Sequence, residues 1–391
     1  MKPIKTSRTL FQSVKLVFLL VIATSIVTTC ATKEPPKKWF ECNFVMATKY
    51  TPASKPFLSI DKVTVLNPNR DCNYKYCYRL YPAKNGWYCI FDASKSVMYH
   101  FDSIGNQLRT IEAPAASNGM SFYNKIATLP NGDVTCLANF NHIWTLDDLN
   151  IWQPKLALME GAYSIFFDST NHIWGYTGYN FNGKENCSYR LHKYDTNGAV
   201  MFKTLQQGFD YNSSCDDNIM PYYSNLFAEP YNDTIYKLCP CGPRPGFVFN
   251  FGSLSVLRAD LIRNDIQNFI RSSKYAKISR IIDNESILIV TIVVISPKKM
   301  YEFYIALIDK KTGQSTIYCI DSYKDHQLGL TNAMYFLVGG GSRIGFLINS
   351  SRFDEFLRIM GVSYNEVGRD EIRAVSKPII VECSISNVYE N

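Results

Sequence analysis

Residues 73–112 read NYKYCYRLYPAKNGWYCIFDASKSVMYHFDSIGNQLRTIE and contain three strand-like runs separated by turn residues. The separators are Asn85-Gly86, Ala93-Ser94-Lys95 and Ile104-Gly105-Asn106. Each separator supplies residues that tolerate positive φ or favour a chain reversal, and each run alternates apolar with polar side chains. This stretch therefore predicts a meander of antiparallel strands.

The end of this stretch recurs along the chain. In six places an apolar or aromatic strand runs into an acidic or turn residue, at Asp102, Asp148, Asp195, Cys239, Asp309 and Cys383. The successive separations are 46, 47, 44, 70 and 74 residues. A strand-and-turn repeat with a period in the forties is typical of propeller blades, which must stack because one four-stranded sheet cannot bury both its faces. The sequence thus predicts an all-β, six-bladed β-propeller.

Turn chemistry places the individual blades. The first five are predicted at about 73–112, 122–158, 161–205, 222–253 and 274–320, and the sixth combines 334–349 with the final PIIVECSIS. Residues 56–66 are the expected N-terminal partner that closes the ring. Apolar residues at helical spacing in 255–273 predict a helical insertion between blades four and five, and those in 351–361 predict a second helix.

The N-terminus has the pattern of a secretory signal. Lys2, Lys5, Arg8 and Lys15 precede the apolar run 16–27, which is too short to span a bilayer as a helix. Cys30 follows it and resembles the lipidated cysteine of bacterial lipoproteins; the alternative is ordinary cleavage nearby, with Cys30 discarded or left free. The domain prediction is a signal peptide at 1–29, a lipidated N-terminus and tether at 30–50, and the propeller at 51–391.

Composition limits the partners and cofactors. The formal net charge is +7, but four of the positive residues lie in the predicted signal peptide, so no nucleic-acid partner is expected. The cysteines form no complete zinc pattern, and no metal or other cofactor is predicted. One or two disulfides are compatible with export, although their pairing cannot be read from the sequence.

Several segments resemble a known family, the six-bladed β-propeller lipoproteins of Bacteroides-like bacteria. Residues 232–252, NDTIYKLCPCGPRPGFVFNFG, are similar to that family's mid-chain pattern of a D-T-I-Y-R-L strand, a turn and a strand ending in aromatic-Gly. Tyr99–Gly105 and Lys377–Val381 are similar too. After blade one the chain has EAPAASNGM where the family often carries a Gly-Pro-Gly-Glu loop, which indicates a divergent member. The resemblance implies a propeller at the cell envelope and no particular chemistry.

Catalytic candidates are few, and no catalytic residue is assigned. Asn-His-Ile-Trp occurs at 141–144 and again at 171–174, but both copies open a strand after a turn, which favours a structural role for His142 and His172. The acidic candidates are Asp168, Asp216, Asp217 and Asp233. The chain lacks a Gly-x-Ser-x-Gly elbow, a Walker loop and a His-Glu-x-x-His helix.

Two functional classes remain. The first is a monomeric, lipid-anchored propeller at the outer membrane of a Gram-negative bacterium, on its periplasmic or surface face, which binds a glycan, a peptide or a protein partner. Trp87, Trp144 and Trp174 are the candidates for stacking on a ligand. The alternative is a propeller hydrolase or lyase acting on glycans or other exported substrates at the mouth of the axial channel.

Overall fold

A computed structural model describes 40–43, 58–69, 79–91, 97–114, 126–128, 133–162, 164–168, 170, 172–177, 189–206, 225–229, 231–239, 242–256, 269, 272–283, 286–297, 300–323, 334–336 and 343–385. These residues form twenty-four strands and two α-helices. Two strands precede the first complete sheet, β1 (Phe40–Asn43) and β2 (Leu58–Val65).

Three consecutive sheets follow, each a four-stranded antiparallel meander. Blade one consists of β3 (Arg79–Ala83), β4 (Gly86–Ile90), β5 (Val97–Asp102) and β6 (Gln107–Glu112). Blade two consists of β7 (Ile126–Thr128), β8 (Val134–Ala138), β9 (His142–Leu146) and β10 (Trp152–Ala157). Blade three consists of β11 (Ser164–Phe167), β12 (Ile173–Tyr176), β13 (Tyr189–Tyr194) and β14 (Val200–Gln206).

The remaining three sheets complete the ring. Blade four consists of β15 (Leu226–Ala228), β16 (Thr234–Cys239) and β17 (Gly242–Asn250), with β1 as its fourth strand. Blade five consists of β18 (Tyr275–Asp283), β19 (Ile287–Ser296), β20 (Met300–Asp309) and β21 (Ser315–Tyr323). Blade six consists of β22 (Met334–Phe336), β23 (Arg343–Asn349) and β24 (Pro378–Ile385), with β2 as its fourth strand. The six predicted blades are confirmed.

The N-terminal strands join blades that lie far from them in sequence. β2 pairs antiparallel with β24, from Leu58 opposite Ile385 to Val65 opposite Ile379, which confirms the predicted closing partner. β1 pairs parallel with β17, from Phe40 opposite Phe247. The sequence predicts residues 40–43 as part of the tether, whereas the structure pairs them with β17.

The core lies between adjacent blades. Central strands such as β8, β12 and β19 are buried along almost their whole length, while the outer strands β6 and β10 are mostly exposed. The face of blade three that packs toward blade two carries Ile165, Phe167 and Ile173. The face that packs toward blade four carries Phe166, Trp174 and Tyr176. Alternate side chains of one strand therefore serve two different interfaces.

Aspartates hold the turns that the repeat anchors mark. Asp102 Oδ1 accepts hydrogen bonds from the backbone N–H groups of Ile104 at 3.0 Å and Asn106 at 2.8 Å. Asp195 binds its own turn in the same way. In blade two the structure corrects the anchor by one residue, because Asp147 accepts from the turn and Asp148 is 90% exposed. A short carboxylate satisfies backbone donors that the reversal leaves unpaired.

Two helices connect β23 to β24. Helix α1 (Phe353–Met360) confirms the second predicted helix, and Phe353 and Phe356 are fully buried. Helix α2 (Glu366–Ala374) was not predicted, because Ile372 is its only buried apolar residue. The helical insertion predicted between blades four and five falls largely on 257–268, 270 and 271, which lie outside the described residues.

Candidate functional site

A group of hydrogen-bonded and charged side chains lies at the junction of blades three and four. Asp168 follows β11 and accepts hydrogen bonds from Thr170 Oγ1 at 2.6 Å and Trp174 Nε1 at 2.9 Å. Lys193 lies 3.7 Å from Asp168 Oδ2 and 5.4 Å from the centre of the Trp174 ring. The carboxylate, the indole and the ammonium group thus satisfy one another inside blade three.

A second charged pair joins the two blades directly. Glu229, which follows β15 of blade four, is 1% exposed. Arg190 of blade three donates from Nε to Oε1 at 2.6 Å and from Nη2 to Oε2 at 3.0 Å. The side chain of Asn232 bridges Glu229 and the hydroxyl of Tyr236. A bidentate pair of this kind fixes geometry as well as charge.

The lowered pKa of Asp168 favours a fixed negative charge at this junction. Burial alone would raise the pKa of Asp168, but hydrogen bonds from Thr170, Trp174 and the backbone of His172 outweigh it and hold the pKa below its ordinary value. Burial raises the pKa of the Tyr236 hydroxyl. A general acid or base working near neutral pH needs a carboxyl pKa that moves upward, which is opposite to the shift at Asp168.

The two histidines of the Asn-His-Ile-Trp repeat are not brought together. His142 is exposed and opens β9, the third strand of blade two. His172 is half-buried and precedes β12, the second strand of blade three, where the hydroxyl of Thr170 lies 2.6 Å from its Nδ1. Successive turns of a meander lie at opposite ends of a sheet, so the two residues occupy different ends of their blades.

The structure separates the three candidate tryptophans. Trp174 is 1% exposed and stacks on Phe166, and Trp87 is 8% exposed inside the core shared by blades one, five and six. Both rings therefore lie in the core between blades. Trp144 is half-buried, so stacking on a ligand remains a prediction for this residue.

Of the remaining candidate residues, Asp233 lies among the described residues. Asp233 accepts a hydrogen bond from the hydroxyl of Thr234 at 2.9 Å, which gives it a local role in the turn before β16. Cys30, Asp216 and Asp217 lie outside the described residues. Within the part of the chain that the structure describes, no three His, Cys, Asp or Glu side chains converge as metal ligands. No helix among these residues has the length and apolar character required to cross a membrane.

A group of four exposed apolar side chains lies on the β5–β6 hairpin of blade one and the β9–β10 hairpin of blade two. We call it the rim patch and define it as Ile104, Leu108, Leu149 and Ile151, which are 71%, 52%, 61% and 52% exposed. The sequence does not predict the patch, although Ile104 belongs to a predicted turn and Leu149 follows the repeat anchor Asp148. Apolar side chains at the centre of a hairpin turn are the signal that could have revealed it.

The backbone beneath the rim patch is held by hydrogen bonds. Ile104 lies in the turn that Asp102 organises, and Leu149 and Ile151 lie in the turn that Asp147 organises. The guanidinium of Arg109 on β6 donates to the carbonyl of Leu149 and so joins the two blades at this point. The patch therefore presents apolar side chains on a fixed frame, which is the usual arrangement of a binding loop on a rigid scaffold.

Comparisons with known proteins agree with this architecture. The family described as 6-bladed beta-propeller matches residues 144–343. An exported protein of Bacteroides fragilis has a similar structure, with a TM-score of 0.60 and 13% sequence identity over 88% of this chain and 99% of the other. At this identity the likeness shows the fold alone. No curated protein matches.

Two further structures show weaker likeness. PorZ, a surface component of the type-IX secretion system of Porphyromonas gingivalis, has a TM-score of 0.34 and 8% identity over 72% of this chain and 36% of its own. BamB from Moraxella catarrhalis has a TM-score of 0.37 and 8% identity over 84% of this chain and 99% of its own.

Proposed function

The chain belongs to the 6-bladed beta-propeller family, and on that premise we propose that it is an exported, lipid-anchored interaction scaffold at the bacterial cell envelope. The anchor is Cys30, and the location is the outer membrane of a Gram-negative bacterium. Diacylglyceryl attachment adds several acyl chains, each worth about 0.8 kcal/mol per buried methylene, which holds a protein at a membrane without a spanning helix.

The rim patch is the observation that carries the binding role. Four large apolar side chains, each at least half exposed, stand on adjacent hairpins whose backbones are fixed by Asp102 and Asp147. Large exposed apolar side chains held on a rigid frame favour a role in contacting a partner. This favours a protein partner over a glycan, since two of the three candidate stacking rings, Trp87 and Trp174, are buried.

A photo-crosslinking amino acid at Leu149 tests the binding role in intact cells. We expect crosslinks to one envelope protein, and we expect the double variant Leu108→Lys, Ile151→Lys to reduce their yield about tenfold because charges replace the apolar contact. The matched control is the same crosslinker at Val367, which is 72% exposed but lies on α2. Equal crosslinking at both sites would refute the rim patch as an interface.

Cell fractionation tests the anchor separately. Cys30→Ser removes the thiol that would carry the lipid, so we expect the variant to move from the membrane fraction to the soluble fraction. Membrane retention equal to that of the unsubstituted protein would contradict lipidation at this residue.

A further inference from the structure

The N-terminal strand ties the tether to one place on the propeller. β1 lies along the outer edge of blade four, and the Phe40 ring stacks on Phe247 with centroids 5.6 Å apart and planes 26° apart. The ring also occupies the position that a Cβ of Gly313 would need, in the turn between β20 and β21 of blade five. Phe40 therefore fills the seam between blades four and five.

This contact limits how far the folded body can lie from the lipid. Ten residue steps separate Cys30 from Phe40, and a fully extended chain covers about 3.5 Å per residue, so the reach is about 35 Å at most. If the chain joined the body only at Leu58 of β2, the same estimate would give about 100 Å. β1 therefore restricts where the body can sit relative to the bilayer.

The reach is shorter than the width of the ring. Strands in a sheet lie about 4.8 Å apart, so each four-stranded blade extends about 14 Å outward, and two opposite blades with side chains and a central channel span roughly 45 Å. From blade one to blade five, each blade packs against the next one in the chain. The core shared by blades one, five and six closes the ring. Blade one, with its share of the rim patch, is thus opposite blade four.

We propose that the seam between blades four and five lies nearer the lipid bilayer than blade one does. The inference rests on the proposed anchor at Cys30. With blade one against the membrane, Phe40 would be about 45 Å from the bilayer, which is beyond the reach of the tether. Near this seam Arg244 on β17 and Lys311 in the turn before Gly313 are exposed, and both positive charges suit anionic lipid headgroups.

Energy transfer to labelled lipid tests this orientation. The lipidated protein is purified from membranes and placed in vesicles that carry an acceptor-labelled lipid, with a fluorescent amino acid at Lys311 in one sample and at Thr110 on β6 of blade one in another. We expect donor quenching at Lys311 to exceed that at Thr110 at least threefold. Equal quenching, or stronger quenching at Thr110, in vesicle-bound protein overturns the proposed orientation.

Two variants separate the effect of tether length from that of the lipid anchor. Insertion of twenty Gly-Ser residues between Pro36 and Lys37 keeps β1 and the anchor but lengthens the reach, so the difference between the two labels should fall to less than half; an unchanged difference overturns the role of tether length. Cys30→Ser tests the anchor: if it stays on the vesicles, the proposed lipidation fails, whereas correct release with the wrong quenching pattern refutes the orientation alone.

Discussion

Blade three and blade four show two ways of completing the same sheet. Blade three takes all four strands from consecutive segments between Ser164 and Gln206, whereas blade four takes its fourth strand from Phe40–Asn43. Blade six resembles blade four in this respect, because β2 pairs with β24 and the hydroxyl of Ser384 donates to Asp61, 323 residues away in the sequence.

The difference shows where the ring depends on long-range pairing. A local meander closes only short loops. A borrowed strand closes a long loop, and the entropy lost in closing it is offset only after the strand has paired. Blade three should therefore form early, and the borrowed strands should add stability late. The two borrowed strands also differ in length, since β2 has eight residues and β1 has four.

Truncation gives the largest expected effect. A chain that begins at residue 51 lacks only β1, and one that begins at residue 67 also lacks β2 with the fully buried Leu58 and Leu66. Each of these leucines is worth about 2 kcal/mol of burial, and the loss of β2 also uncovers the edge of β24. We expect the longer chain to unfold cooperatively and the shorter one to aggregate, as measured by calorimetry and size-exclusion chromatography. Similar stability of the two chains would contradict the closing role of β2.

The second prediction concerns the joint between the local and the borrowed blade. Glu229→Ala leaves Arg190, whose side chain is 12% exposed, without its bidentate partner, so we expect a loss of about 4 kcal/mol in the free energy of unfolding, measured in urea. The matched control is Arg190→Met with Glu229→Leu, which removes both charges together and should cost less than half as much. An equal cost for the single and double variants would show that the pair itself is not what matters.

The third prediction concerns the seam filled by β1. Gly313 has φ of 75° and no room for a Cβ beside Phe40, so Gly313→Ala should lower stability by about 2 kcal/mol. Phe40→Ala removes the obstructing ring. In that background Gly313→Ala should lower the free energy of unfolding by less, so the two effects should be non-additive in a double-mutant cycle. Additive effects would place Phe40 away from Gly313.

The architecture was largely readable from sequence because the repeat is expressed in local patterns. Turn residues after each apolar run define hairpins, and the β-branched run from Ile287 to Ile295 is buried as expected of a central strand. The strand β1 was not identified, since FECN is four residues long and its pairing depends on β17 much later in the chain. Helix α2 was not identified because its polar sequence carries only one buried apolar residue.

The candidate site was less predictable than the fold. A tryptophan in a strand looks the same in sequence whether it faces solvent or a neighbouring blade, and Trp174 was placed in the core by the stacking of blades three and four. Glu229 gave no signal because its partner Arg190 belongs to the preceding blade. Contacts between blades depend on how the sheets stack, and a pattern within one blade does not contain that information.

The smallest expected effect is a pH dependence of stability that arises in blade one, a sheet built from four consecutive strands. His100 lies on β5 of blade one at 9% exposure, packs on the Tyr88 ring at 4.6 Å, and has no hydrogen-bond partner for either ring nitrogen among the described residues. Burial, with Arg109 opposite it on β6, lowers the pKa of His100 below its ordinary value of 6.5, although Asp102 acts in the other direction.

The sign follows from proton linkage. The unfolded chain binds a proton at His100 more readily than the folded chain does, so stability is full above about pH 6.5 and declines as the pH falls below that value toward the lowered pKa. We expect His100→Phe to flatten this part of the profile of unfolding free energy against pH, because the ring packing is retained without the titrating group. His142→Phe is the control, since His142 is exposed on blade two. If His100→Phe does not alter the profile, the buried imidazole does not destabilise blade one at acidic pH. The acid sensitivity would then come from elsewhere in the ring. His192 of blade three is the next residue to replace, because burial lowers its pKa too.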